Sequence, residues 1–171
     1  MNVYVNDLYL FLKQNSHPAI AQKQSDYMRQ RFPFIGLMRT ALKTHWDEYN
    51  RTHGIVKKED TIDFAKACIQ YPEREMWYLA VELLKRNKKY LLESDLDFIK
   101  ELIITSDWWD IVDAISSHNV GTLAYKSDKI KTEVQEWMYH PNFWLRRTSI
   151  IYQLTYRNET DAEFLFKVSR T

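Results

Sequence analysis

Glycine and proline are both scarce, three and four residues in a chain of 171. So few turn formers and helix breakers argue against an all-β fold, and no glycine-rich phosphate loop exists to support a nucleotide-binding α/β fold. A single cysteine, Cys68, excludes a disulfide framework and a thiolate zinc site, and reads as a small core residue in a reducing compartment. No apolar run approaches the length of a membrane span, and Met1-Asn2-Val3-Tyr4 lacks the basic and apolar regions of a secretory leader. The histidines at 17, 45, 53, 118 and 140 have no metal-ligand spacing, so no metal and no cofactor are expected. Nucleophile motifs centred on Ser or Cys are missing as well. The net charge of +1 points to no class of partner by itself. These absences imply a soluble cytoplasmic protein, with one domain spanning residues 1–171 and chain enough for a sizeable core. What is abundant is aromatic side chain, 15 % of the residues, from 6 Trp, 11 Tyr and 8 Phe.

Apolar periodicity predicts helices over 3–14, 18–30, 37–52, 60–70, 73–87, 95–105, 108–117, 128–139, 142–157 and from 161 to the end. Breaks fall at Phe32-Pro33-Phe34-Ile35-Gly36, His53-Gly54, Tyr71-Pro72, Glu93-Ser94, Ser106-Asp107, Ser127-Asp128 and His140-Pro141. No stretch alternates with period two, so the chain is all-α. Pro72, Asp107 and Pro141 open successive helices about 35 residues apart, with two helices in each interval. A helix pair repeated at that period is the mark of an α-solenoid, whose concave layer would present Arg74, Trp109, Asp113 and Arg147 in one row. The repeats resemble one another weakly, and an irregular helical bundle stays open at this point.

The densest chemistry lies in Ser106-Asp107-Trp108-Trp109-Asp110-Ile111-Val112-Asp113. On a helix, Trp109 and Asp113 are four apart and share a face, while Trp108, Val112 and Ile115 form the buried face. Asp107 is placed to cap that helix, with Asp110 supporting it as a loose capping box. Asp113 lies a turn too far in to cap. A carboxylate beside an indole face suits a cationic ligand or transition state. Alternatively both tryptophans are core and Asp113 is a solvated acid. Basic residues cluster at Arg29/Arg31, Lys57-Lys58, Lys85-Arg86 with Lys88-Lys89, Lys126 with Lys129 and Lys131, and Arg146-Arg147. That recurrence fits a footprint on a phosphate backbone, and equally fits the preference of cations for helix C-termini.

The stretch from Ser106 to Asp113 closely resembles the Trp-Trp-Asp-x-Val-Asp signature of the AlkD-type DNA alkylation repair glycosylases, which are solenoids of HEAT-like helix pairs. Three further segments agree in kind and order: Tyr27-Met28-Arg29 with Phe32 and Gly36; Pro72-Glu73-Arg74-Glu75 with Ala80; and Trp144-Leu145-Arg146-Arg147 with Ile150, Gln153, Leu154 and Tyr156. The resemblance implies hydrolysis of the N-glycosidic bond of cationic alkylated purines, such as 3-methyladenine and 7-methylguanine, in duplex DNA, without flipping the base into a tight pocket. By the same resemblance Asp113 is the catalytic carboxylate and Trp109 the wall against the lesion's deoxyribose. Arg147 holds the DNA backbone and Tyr27 contacts the DNA beside the lesion. Arg74, Arg146 and Trp108 are further candidates for the DNA-facing surface. The other class of function kept open is a non-catalytic solenoid that binds DNA or a protein partner through the same concave basic face. Members of the resembling family run on for several more helices and supply another tryptophan to an aromatic cradle. No counterpart is assigned here, since Trp137 and Trp144 lie elsewhere in the pattern. The resemblance therefore implies a C-terminally incomplete domain, with an uncapped end through which it could dimerise.

Overall fold

Residues 3–168 are described by the structure, a computed structural model, and among them helix follows helix with no strand, the α-solenoid-like succession that the sequence implies. The chain forms two compact units, Met1–Leu83 and Leu84–Thr171. No helix among the described residues is long and apolar enough to cross a membrane.

The first unit contains α1 (Val3–Gln14), α2 (Pro18–Tyr27), α3 (Arg39–His53), α4 (Thr61–Cys68) and most of α5 (Arg74–Arg86). Pro18 starts α2, where its missing N–H costs nothing. Gly54, at φ 87°, ends α3 as its spacing suggests. Val5, Leu8 and Leu12 of α1 are buried with Leu42 and Trp46 of α3 and Phe64 of α4. Trp46 and Phe64 stack at 5.8 Å between ring centroids. Cys68 is buried among them and its thiol is pushed up by burial, in keeping with an inert core residue.

The segment Pro72-Glu73-Arg74-Glu75 does not do what its charges suggest. Arg74, a candidate for the DNA face, is 1 % exposed. Its guanidinium lies 4.0 Å from the ring centroid of Phe32 and 5.3 Å from that of Trp77. This placement corrects the reading of Arg74 as a DNA contact. A weakly hydrated planar cation packs well against aromatic faces, and the buried side chain is part of the core of this unit. Glu75 is 0 % exposed. Its carboxylate accepts the backbone N–H groups of Ile35 (2.9 Å), Gly36 (2.8 Å) and Leu37 (3.1 Å). The Arg74 N–H donates in turn to the Pro33 carbonyl at 3.0 Å. Glu73 accepts from the Tyr9 hydroxyl at 2.9 Å and from Lys13 at 3.2 Å. The break between α2 and α3 is therefore held from within by the start of α5. Gly36 sits at φ 96°, and a Cβ there would lie 2.2 Å from the His17 carbonyl oxygen, so only glycine fits.

The second unit contains the end of α5, then α6 (Leu96–Ser106), α7 (Trp109–Ile115), α8 (Gly121–Lys126), α9 (Asp128–Glu136), α10 (Phe143–Ile151) and α11 (Ala162–Val168). α10 packs on α6, α7 and α9. α2 and α9 end three residues earlier than expected, at Tyr27 and Glu136, and two further spans depart in kind. α7 does not stop at a loop but runs through a π-helical turn, Ser116–Val120, into α8, which periodicity alone does not reveal. The Asn119 amide donates to the Leu84 carbonyl at 2.8 Å, and Gly121 lets the backbone approach Tyr152, where a Cβ would lie 2.3 Å from the carbonyl oxygen. α10 ends at Ile151 and gives way to turns over Tyr152–Thr155, after which the Tyr156 hydroxyl donates to the Gly121 carbonyl at 2.7 Å. α11 begins where expected; its expected continuation through Ser169–Thr171, like the Met1-Asn2 start of the leader reading, lies outside the described residues.

Two measurable consequences follow from the first unit. Glu75→Ala leaves three buried amide donors without an acceptor, and losing about 3 kcal/mol or more of unfolding free energy is expected at about 1–3 kcal/mol for an unsatisfied buried group; urea denaturation checks it. Burial pushes the Tyr4 phenol from 10.0 up to about 12, and burial together with Glu73 does the same for Tyr9. Folding thus favours the neutral phenols. Their stabilisation is complete below pH 10 and is lost as the pH rises through about 12. Unfolding free energy measured against pH should fall over that window, and less steeply in Tyr4→Phe.

Candidate nucleic-acid interface and catalytic site

α6 ends at Ser106, and the chain reverses through Asp107 in the left-handed conformation, φ 46° and ψ 31°. Trp108, extended at φ −160°, occupies the cap position of α7, and its side chain makes no cap hydrogen bond. Asp107 is therefore not the cap that its position suggests. Its Oδ1 instead accepts the indole N–H of Trp144 at 2.6 Å. Asp110 is within the first turn of α7, with its Oδ1 2.9 Å from the Ile111 N–H.

Within α7, Ile111, Val112 and Ile115 are buried and fix the helix on the core. The opposite side carries Trp109, 41 % exposed, and the part-buried Asp113. The two are one turn apart, as their spacing requires. Trp108 is half-buried, its ring centroid 6.4 Å from that of Trp144.

α10 supplies the facing side. Asn142 caps it by accepting the N–H groups of Trp144 (2.9 Å) and Leu145 (3.2 Å). One turn further, Arg147 forms a two-bonded fork on Asp113: Nε to Oδ1 at 2.7 Å and Nη2 to Oδ2 at 2.7 Å. Both side chains keep over a third of their surface in water, 37 % and 36 %. Arg147 is held above its usual range, first by its hydrogen bond to Asp113 and then by the carboxylate's charge, with burial opposing. Behind the fork, Thr148 and Ser116 pair their hydroxyls at 2.8 Å, and the Ser117 hydroxyl donates to the Asp113 carbonyl at 2.8 Å. The π-helical turn thus directly supports the helix that carries the acid. Such turns recur at functional sites.

Of the expected residues, Asp113, Trp109 and Arg147 share this edge of the second unit with Trp108, and Trp144 joins them. Trp144 has a place here that spacing did not indicate. Arg146 points elsewhere. Its guanidinium donates to the carbonyls of His140 and Pro141, both at 2.8 Å, and so braces the turn before α10. Tyr27 ends α2 in the first unit and is 72 % exposed. Among the basic clusters, Arg29, Arg31, Lys57, Lys58, Lys85, Arg86, Lys89, Lys126 and Lys129 are exposed. Lys131 pairs with Asp161 at 3.3 Å.

The arrangement offers one oriented carboxylate, a cation that fixes it, and an indole face, all open to water. It can stabilise a positive charge and orient a water molecule. Comparisons with known proteins identify the family. A family model described as DNA alkylation repair enzyme matches residues 10–171. Among solved structures, a predicted DNA alkylation repair enzyme from Enterococcus faecalis is similar over 90 % of this chain and 72 % of its own, at 25 % identity and a TM-score of 0.76. No curated protein sequence matches significantly. With the family's pattern extending over all but the first nine residues, the chain belongs to the family of DNA alkylation repair enzymes.

Proposed function

We propose that the protein is a DNA glycosylase that hydrolyses the N-glycosidic bond of cationic N3- or N7-alkylated purines, 3-methyladenine and 7-methylguanine among them, in duplex DNA. The observation that carries the reading is the Asp113 carboxylate, held by the Arg147 fork one helical turn from an exposed Trp109.

The reaction asks for little else. An N3- or N7-alkylpurine already carries a positive charge, so when the glycosidic bond breaks its electron pair leaves with a neutral base. No acid has to protonate the leaving group, unlike the carboxylate pair of sugar hydrolases. Positive charge develops on the deoxyribose, and Asp113 stabilises it while the Trp109 face borders it. A water molecule adds to C1′ and gives its proton to Asp113, which returns it to solvent. Arg147 keeps the carboxylate aimed, and its charge offsets the repulsion an acid would otherwise exert on DNA phosphates. Tyr27, Trp108 and the exposed lysine and arginine clusters are assigned to DNA contact, where affinity should fall with salt. We further assign the helix pairs to HEAT-like repeats.

Asp113→Asn keeps the shape and removes the charge. Release of 7-methylguanine from methylated duplex DNA should fall by roughly two to three orders of magnitude, about 3–4 kcal/mol of transition-state stabilisation. Undiminished release by that variant would exclude Asp113 as the catalytic group. A module that only binds DNA predicts no release from either protein and binding no weaker in the variant. Arg147→Gln should slow single-turnover release by about tenfold, about 1.4 kcal/mol, through loss of carboxylate orientation. Unchanged turnover with weaker DNA binding would instead restrict Arg147 to the DNA backbone.

A further inference from the structure

We propose that Asp107 is a positioning residue that sets where α7 begins, and with it how Trp109 and Asp113 stand against α10. The inference rests on the glycosylase reading only for its consequence in catalysis.

The observations lie in the elbow between α6 and α7. Asp107 occupies the left-handed region at φ 46° and ψ 31°. That conformation is unfavourable for a residue with a Cβ; glycine adopts it freely, and Asn tolerates it about as well as Asp. Were the position merely a turn, glycine would serve it better. What glycine lacks is the carboxylate, and here the carboxylate accepts the Trp144 indole N–H at 2.6 Å, an acceptor type that makes short, strong bonds. Trp144 is itself a fixed post. Asn142 holds its backbone N–H at 2.9 Å, and its ring packs against Phe143 at 5.1 Å and Trp108 at 6.4 Å.

Trp108 follows Asp107 directly and carries the first carbonyl of α7, which accepts the Val112 N–H at 3.2 Å. Trp108 occupies the cap position of α7 and its side chain makes no cap bond there. The elbow that carries Trp108 therefore contributes to the register of α7. The Asp107–Trp144 bond joins that elbow to the helix that also carries Arg147. One carboxylate thus fixes two neighbouring helices in the relation that lets the Arg147 fork close on Asp113.

The test compares Asp107→Gly and Asp107→Asn with the wild-type chain. Glycine relaxes the backbone and removes the acceptor; asparagine keeps a side-chain carbonyl. The proposal expects Asp107→Gly to melt no lower than wild type. It also expects the Trp144 indole N–H resonance to move and amide exchange at Val112 and Asp113 to quicken. Excision of 7-methylguanine should slow on the order of tenfold to a hundredfold, as small misplacements do. Asparagine should restore most of the exchange protection and of the rate. Wild-type exchange at Val112 and Asp113 in Asp107→Gly would overturn the proposal. So would a fall in melting temperature that accounts for the lost rate, since the role would then be stability alone. Absence of excision by the wild-type chain counts against the glycosylase reading and leaves the exchange measurement to decide the elbow's role.

Discussion

The second unit turns on one ion pair, the two-bonded fork between Arg147 and Asp113. In the glycosylase we propose, that fork keeps an acid in place where the phosphates of DNA would otherwise repel it. Arginine is suited to the role because its planar, always-charged group matches both carboxylate oxygens at once. Both partners are partly open to water, so the direct strength of the pair is modest. What the pair provides is direction. The carboxylate cannot rotate without breaking two bonds, and its partner is mounted on a helix capped by Asn142 and packed against α6, α7 and α9.

The two units use buried charge in different ways. In the first, Glu73, Arg74 and Glu75 are consecutive and almost completely buried, held by hydroxyl, ammonium, aromatic and main-chain partners. They tie neighbouring segments of the unit together. In the second unit the charged pair is left partly exposed, beside an indole face. Exposure separates charge used for folding from charge available for chemistry, and neither residue type nor local spacing reports it.

Much of this was legible in the sequence. Scarce glycine and proline with period-3.6 apolar residues gave the helices, and the four-residue spacing of Trp109 and Asp113 put them on one side of α7. The resemblance of the double-tryptophan stretch pointed to the DNA alkylation repair family, to which the chain belongs. What could not be read has physical causes. Arg74 has the composition of a surface cation, and only the tertiary position of Phe32 buries it. Asp107 looks like a cap because caps and left-handed turn residues draw on the same short polar side chains. The continuation of α7 into α8 was hidden because a π-helical turn shifts the apolar phase by one residue. The sequence fragment Trp144-Leu145-Arg146-Arg147 gives two adjacent arginines equal standing, whereas the turn before α10 claims one and Asp113 the other.

The way Glu75 holds residues 35–37 bears on how this fold can diverge. Its carboxylate grips main-chain amides, which every residue except proline provides. Drift at Ile35 and Leu37 among apolar types leaves the grip intact, while position 75 must keep its acid and position 36 its missing side chain. Distant relatives can therefore lose most visible similarity in this segment and still close it in the same way. An acid and a glycine nearly forty residues apart would then mark the first unit more durably than the apolar residues between them.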